Sequence, residues 1–141
     1  MSEPLRLTYP VDGSNFAVAG DASMKLKKEL QSLGFDPKTI RRTSICMYEG
    51  EINMVIHAGG GEVEVLVSPE QIEIFLRDEG PGIPDIPLAM KAGYSTAPED
   101  VRNSGFGAGM GLPNMKKNAD FMEIESTVGV GTTVHMQVLV S

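Results

Sequence analysis

Apolar residues recur along this chain at two spacings, first one suited to helices and later one suited to strands. Leu5, Leu7 and Tyr9 alternate with polar positions, and Phe16 and Val18 follow the Asp12-Gly13 turn, which predicts short opening strands. From Asp21, a capping residue, Leu26, Leu30 and Leu33 form one stripe that ends at Gly34, the pattern of a first helix. Asp36-Pro37 signals a second start, with a capping aspartate and proline at the first helical position. The helix it opens, over about 38–58, carries Ile45, Tyr48, Ile52, Val55 and Ile56 on one stripe and Ile40, Met47 and Met54 opposite. A helix apolar on two sides is expected between a sheet and the first helix. Gly50 inside it is expected to loosen its turn.

Beyond Gly59-Gly60-Gly61 the spacing changes to two. Val63 and Val65, then Ile72, Ile74 and Leu76, predict two strands joined at Ser68-Pro69-Glu70. Residues 78–111 read as glycine-rich loop with a short helical stretch near 86–92, followed by a helix over 112–119. Strands over 121–127 and 132–140 close the chain around Gly129-Val130-Gly131, with Val134, Met136, Val138 and Val140 on one side of the last. Helices early and strands late imply an α/β (α+β) two-layer sandwich, a mostly antiparallel mixed sheet covered on one face by helices.

Composition narrows the function classes. Hydrophobic residues at 41% and charged residues at 22% fit a folded globular chain, and 141 residues fit one domain over 1–141. A net charge of −7 disfavours a nucleic-acid backbone as partner. Cys46, His57 and His135 are the only cysteine and histidines, too few for a zinc cluster or an intramolecular disulfide. No apolar run approaches the roughly 20 residues of a membrane span, and the first ten residues do not read as a signal peptide, so a cytoplasmic protein is expected.

Four groups of residues could carry chemistry. Glu49, Asn53 and His57 stand one turn apart along the long helix. They either form a solvated polar edge or bring a carboxylate and a carboxamide oxygen to one point, the latter a hard ligand suited to Mg2+. Asp78-Glu79-Gly80-Pro81-Gly82-Ile83 ends a strand, either as a plain turn or as an aspartate that accepts from a ligand amine while glycines admit it. Gly105, Gly107, Gly109 and Gly111 lead with Phe106, Met110 and Leu112 into a helix, whose amino end and exposed N–H groups favour phosphate. Gly93-Tyr-Ser-Thr96 stands before them as the near hinge of a flap. Thr132 and Thr133 follow Gly129-Val-Gly131 in a hairpin. Lys91, Arg102, Lys116 and Lys117 are the nearest cations in sequence. His57 is suited to its helix's negative end, Cys46 to packing and His135 to the surface.

The order of these boxes over about 36–140 resembles the GHKL ATPases, the family of DNA gyrase, Hsp90, histidine-kinase catalytic domains and MutL. Within it, Asp78-Glu-Gly-Pro-Gly-Ile83, Ala89-Met-Lys-Ala-Gly93-Tyr-Ser-Thr96 and Gly107-Ala-Gly109-Met-Gly111-Leu112 are similar to the bacterial serine protein kinases that serve as anti-sigma factors and stress-response switch kinases. The resemblance implies the Bergerat fold with ATP or ADP and Mg2+ as cofactors. It implies that Asn53 holds Mg2+ and Glu49 acts on a substrate serine hydroxyl. Asp78 would take the adenine amino group, with Gly80, Gly82, Ile83, Thr132 and Thr133 around the base. Gly105, Gly107, Gly109, Met110, Gly111 and Leu112 would cover the phosphates, in a flap lengthened by residues 97–104. The partners it implies are a STAS-domain antagonist, a sigma factor and a second copy of the chain. An ATP-gated anti-sigma module without transfer and a stand-alone ATPase stay open as alternatives at this point.

Overall fold

The structure, a computed structural model, describes residues 3–13, 19–90 and 111–140. Five strands, β1 (Leu5–Asp12), β2 (Gly60–Val67), β3 (Gln71–Asp78), β4 (Phe121–Thr127) and β5 (Gly131–Leu139), form one sheet in the order β1-β2-β3-β5-β4. All four pairings are antiparallel, so the mixed character expected from the sequence is absent among the described strands. Helices α1 (Asp21–Ser32), α2 (Pro37–Ala58) and α4 (Gly111–Asn118) cover one face, and a single turn, α3 (Ile86–Ala89), follows β3. Phe16 and Val18, and residues 91–110 with the flap glycines, lie outside the described residues. No helix among the described residues is long and apolar enough to cross a membrane.

Helix α2 is the middle of the helical layer. It lies on β2, β3 and β5, with α1 along one flank and α4 along the other. This arrangement differs from the expected sandwich between sheet and first helix, and it explains the helix's two apolar sides. The deepest line is Thr43, Met47, Gly50 and Met54, all buried, whereas Tyr48 from the expected main stripe is 39% exposed. Gly50 does not loosen its turn. A Cβ there would meet the buried Leu76 side chain at 2.5 Å, so glycine permits a close approach of α2 to β3.

Both expected helix starts exist, with different caps. Asp36 accepts from the backbone N–H of Thr39 at 2.9 Å and from its hydroxyl at 2.6 Å, which lowers the Asp36 pKa. Asp21 instead lies inside α1, exposed and paired with Lys25 at 3.2 Å. The cap position belongs to Gly20, and the carboxylate serving it comes from α2. Glu51, 2% exposed, accepts from the N–H groups of Gly20, Ala22 and Ser23 and from the Ser23 hydroxyl, at 2.6 to 3.2 Å. At the other end of α1, Gly34 at φ 84° donates to the Gln31 carbonyl and Phe35 to that of Leu30, a Schellman closure. The chain therefore turns at Leu33, which is left 47% exposed, while Leu26 and Leu30 are fully buried.

In the sheet, Val134, Met136 and Val138 of β5 point into the core beneath α2, as the alternation predicts. Their neighbours point to the opposite, uncovered face. There His135 stacks on Phe75 at 4.2 Å between ring centres and pairs with Glu73 at 3.2 Å. Replacing Glu51 with alanine would strand three helix-end N–H groups and open a void. Urea unfolding is expected to show a loss of about 2–4 kcal/mol, with the far-UV helix signal of the folded state retained.

Candidate nucleotide site

The polar edge of α2 faces α4. The two helices run antiparallel, and their contacts follow in order along the seam. Arg42 Nε donates to the Asn118 carbonyl at 3.0 Å, and its guanidinium pairs with Asp120 at 2.8 Å. Cys46 Sγ lies 3.7 Å from the Met115 carbonyl. One turn on, the half-buried Glu49 carboxylate faces α4, where the Asn114 side chain favours its ionised form. At the end of the seam a Cβ on Gly111 would come within 3.0 Å of both the oxygen and the nitrogen of the Asn53 carboxamide. The amino end of α4 is thus seated against Asn53 because its first residue lacks a side chain.

Two effects act on Glu49. Burial raises its pKa above the ordinary carboxylate value, and the Asn114 amide opposes that rise. The result is a carboxylate with greater proton affinity than a solvated one. His57 stands on the last turn of α2, where desolvation lowers its pKa and favours the uncharged ring. The helix end is closed by Gly59, whose N–H donates to the Met54 carbonyl.

The second half of the site is built at the ends of β3 and β5, where Asp78 and Thr132 are register partners. Asp78 Oδ1 accepts from the N–H of Gly80 at 2.9 Å and of Thr132 at 3.2 Å. Its Oδ2 has no partner among the described residues. The Ser126 hydroxyl accepts from the Ile83 N–H at 2.7 Å and lies 2.8 Å from the Thr132 hydroxyl. Gly82 has φ 81°, and a Cβ there would sit 2.6 Å from the Thr127 carbonyl, so only glycine suits this crossing beneath the β4–β5 hairpin. A Cβ on Gly80 would meet Ala58 at 2.6 Å, which brings the carboxyl end of α2 against the Asp78 turn.

Of the residues singled out in the sequence, the structure gathers Glu49, Asn53 and Gly111 at the α2–α4 seam and Asp78, Gly80, Gly82, Ile83 and Thr132 at the strand ends, while Leu112 is buried in the core. Gly105, Gly107, Gly109 and Met110, with Lys91 and Arg102, fall outside the described residues. Thr133 faces the uncovered side of the sheet, across from Arg77 and Glu125, whereas Thr132 lies against Asp78 and Ser126. Lys116 and Lys117 are exposed in the last turn of α4, away from Gly111. Sequence reasoning missed Asn114, Ser126 and Glu51. The available signals were weak: an asparagine within a short helix, a serine five residues before Gly131, and a first helix whose cap position holds glycine.

Comparison with known proteins shows the family of the chain. Residues 46–141 match the family model of the histidine kinase-, DNA gyrase B- and HSP90-like ATPases, and the chain belongs to that family. It is similar to the serine/threonine-protein kinase RsbT of Bacillus subtilis, at 32% identity over 74% of this chain and 75% of the relative. It is also similar to the anti-sigma F factor of Geobacillus stearothermophilus, at 33% identity over 72% of each chain. Among solved structures, a mycobacterial sensor histidine kinase, MprB, shares the fold with a TM-score of 0.54 at 20% identity, covering 95% of this chain and 98% of the other.

The seam also makes a chemical prediction. Cys46 is fully buried, and desolvation pushes its thiol from the ordinary 9.0 to about 12. Iodoacetamide at pH 8.5 is expected to label it only at the rate of global unfolding. Because the folded state holds this proton more tightly, its contribution to stability is complete below pH 9 and is lost as pH rises toward 12.

Proposed function

We propose that the chain acts as a single ATP-binding domain and as a serine protein kinase of the anti-sigma and switch-kinase type, transferring the γ-phosphoryl group of ATP to a serine of a STAS-class antagonist protein in the cytoplasm. The observation that carries this reading is the seating of Gly111 against Asn53. It joins the amino end of a helix, a natural phosphate site, to a neutral oxygen ligand one turn from a half-buried carboxylate. Magnesium that arrives with a polyphosphate keeps most of its ligands from phosphate and water, so one protein carboxamide oxygen suits it. When bound, the ion would neutralise charge on the transferring phosphoryl group.

The chain's own residues supply position and a proton acceptor. Asp78 Oδ2 is available to accept from the exocyclic amine of adenine, while Oδ1 is held by Gly80 and Thr132. Glu49 orients the serine hydroxyl and takes its proton as the oxygen–phosphorus bond forms and the bond to the β-phosphate oxygen breaks, releasing ADP. Its raised pKa brings it closer to what a base needs at neutral pH. Similarity to an anti-sigma F factor supports a second output of the same domain, nucleotide-dependent sequestration of a sigma factor. Homodimer formation belongs to this reading too.

Two variants test it by calorimetry with Mg-ATP and by phosphoserine detection on partners captured from lysate. Glu49→Gln is expected to bind nucleotide within about twofold of the parent and to lose about 100-fold or more in transfer. Unchanged transfer would remove Glu49 from the chemistry. Asn53→Ala is expected to weaken Mg-ATP binding by about tenfold or more while ADP without metal binds nearly as before. Full Mg-ATP affinity in that variant contradicts the metal assignment.

A further inference from the structure

On the nucleotide reading proposed above, we infer that Ser126 is a positioning residue for the pair that reads the base, Asp78 and Thr132. Its hydroxyl ties the turn after β3 to the β4–β5 hairpin and sets the Thr132 hydroxyl as a donor, which favours adenine over guanine. Asp78, Thr132 and Ser126 form one row across β3, β5 and β4, each the register partner of the next. The row lies on the helix-covered face, where Ser126 continues the inward line of Met122 and Ile124, both packed against the core. A hydroxyl in such a line adds little packing and, partly withdrawn from water, needs partners. It has three. Ser126 Oγ accepts from the Ile83 N–H at 2.7 Å and lies 2.8 Å from the Thr132 hydroxyl and 3.3 Å from the Gly131 carbonyl. Three segments thus meet at one oxygen. A second bond, from the Gly129 N–H to the Pro81 carbonyl at 2.9 Å, fastens the same turn to the same hairpin.

Proton bookkeeping decides what the row presents. A serine hydroxyl has one proton to give and two lone pairs to accept with. Ile83 occupies one lone pair, so the proton goes to the Gly131 carbonyl or to the Thr132 hydroxyl, and the second is nearer. Given to Thr132, it leaves the Thr132 proton for a ligand. Thr132 is 8% exposed, so little water competes for that proton. The N–H groups of Thr132 and Gly80 are committed to Asp78 Oδ1, which leaves Oδ2 as an acceptor. An acceptor beside a donor matches the amine and ring nitrogen on one edge of adenine. Guanine carries an oxygen in place of the amine and a ring N–H in place of the bare nitrogen, and so meets like with like.

Ser126→Ala and Ser126→Thr in the full chain test the inference, with Mg-ATP and Mg-GTP binding read by calorimetry. Ser126→Ala is expected to lose about tenfold or more in ATP affinity while GTP affinity stays within about twofold. Ser126→Thr keeps the hydroxyl and suits a strand, and is expected to restore the ATP preference to within about twofold of the parent. In a Thr132→Val background, Ser126→Ala is expected to cost less than about twofold more. Amide hydrogen exchange reads the nucleotide-free protein: the Ile83 N–H is expected to exchange about tenfold or more faster in Ser126→Ala. Should Ser126→Ala not fold, Ser126→Cys, a poorer acceptor of similar size, carries the same expectations. A parental ATP-to-GTP ratio, a full additional loss in the Thr132→Val background or unchanged Ile83 exchange each overturns the assignment of Ser126 alone. A parent chain that binds neither nucleotide overturns the nucleotide reading, and the role of Ser126 with it.

Discussion

The close approach of α2 to β3 at Gly50 is the constraint on which the site depends. With Leu76 occupying the space a Cβ would need, the backbone of α2 lies low over the middle of the sheet. A glycine in a helix interior costs about 1 kcal/mol relative to alanine, while forcing an extra carbon into a packed core costs about 1–3 kcal/mol. The two are comparable, so the helix tolerates its weakest residue where the packing is tightest. The consequence is geometric. At this depth the carboxyl end of α2 meets the Asp78 turn at Ala58, and its polar edge faces α4.

Among the described residues, the polar groups of the site are held by backbone N–H groups and uncharged side chains. Asp78 is met by two backbone N–H groups and Ile83 by the Ser126 hydroxyl. Formal ion pairs instead tie down the frame, as between Arg42 and Asp120, where bonds from Leu139 and Arg42 hold the Asp120 pKa down.

The fold alone separates this protein only from other folds. A sensor histidine kinase adopts the same architecture at 20% identity, so the sheet and helix layer are compatible with many acceptors and outputs. What distinguishes one member from another lies in single side chains on the shared frame. Glu51 illustrates the point from the structural side. It lies between Glu49 and Asn53 in sequence yet points to the opposite flank of α2, where it fastens α1. Two glutamates two residues apart are about 200° apart around a helix, so one faces α4 while the other caps a neighbour.

How much was legible follows from where the information resides. The elements were readable because periodicity, proline, glycine and the Asp36 cap act within a few residues of one another. The family was readable because its boxes keep their order along the chain. Cap exchange between helices, the choice of Thr132 over Thr133, and the contacts of Ser126 were not readable. Each joins residues far apart in sequence, as with Ser126 and Ile83 or Glu51 and Ser23, and depends on sheet register or helix rotation. Local sequence determined which segments are helix or strand and which residue types stand at their ends. Only tertiary packing decided which of them meet, because register and helix depth are set by burial across the whole layer and not by any neighbour along the chain.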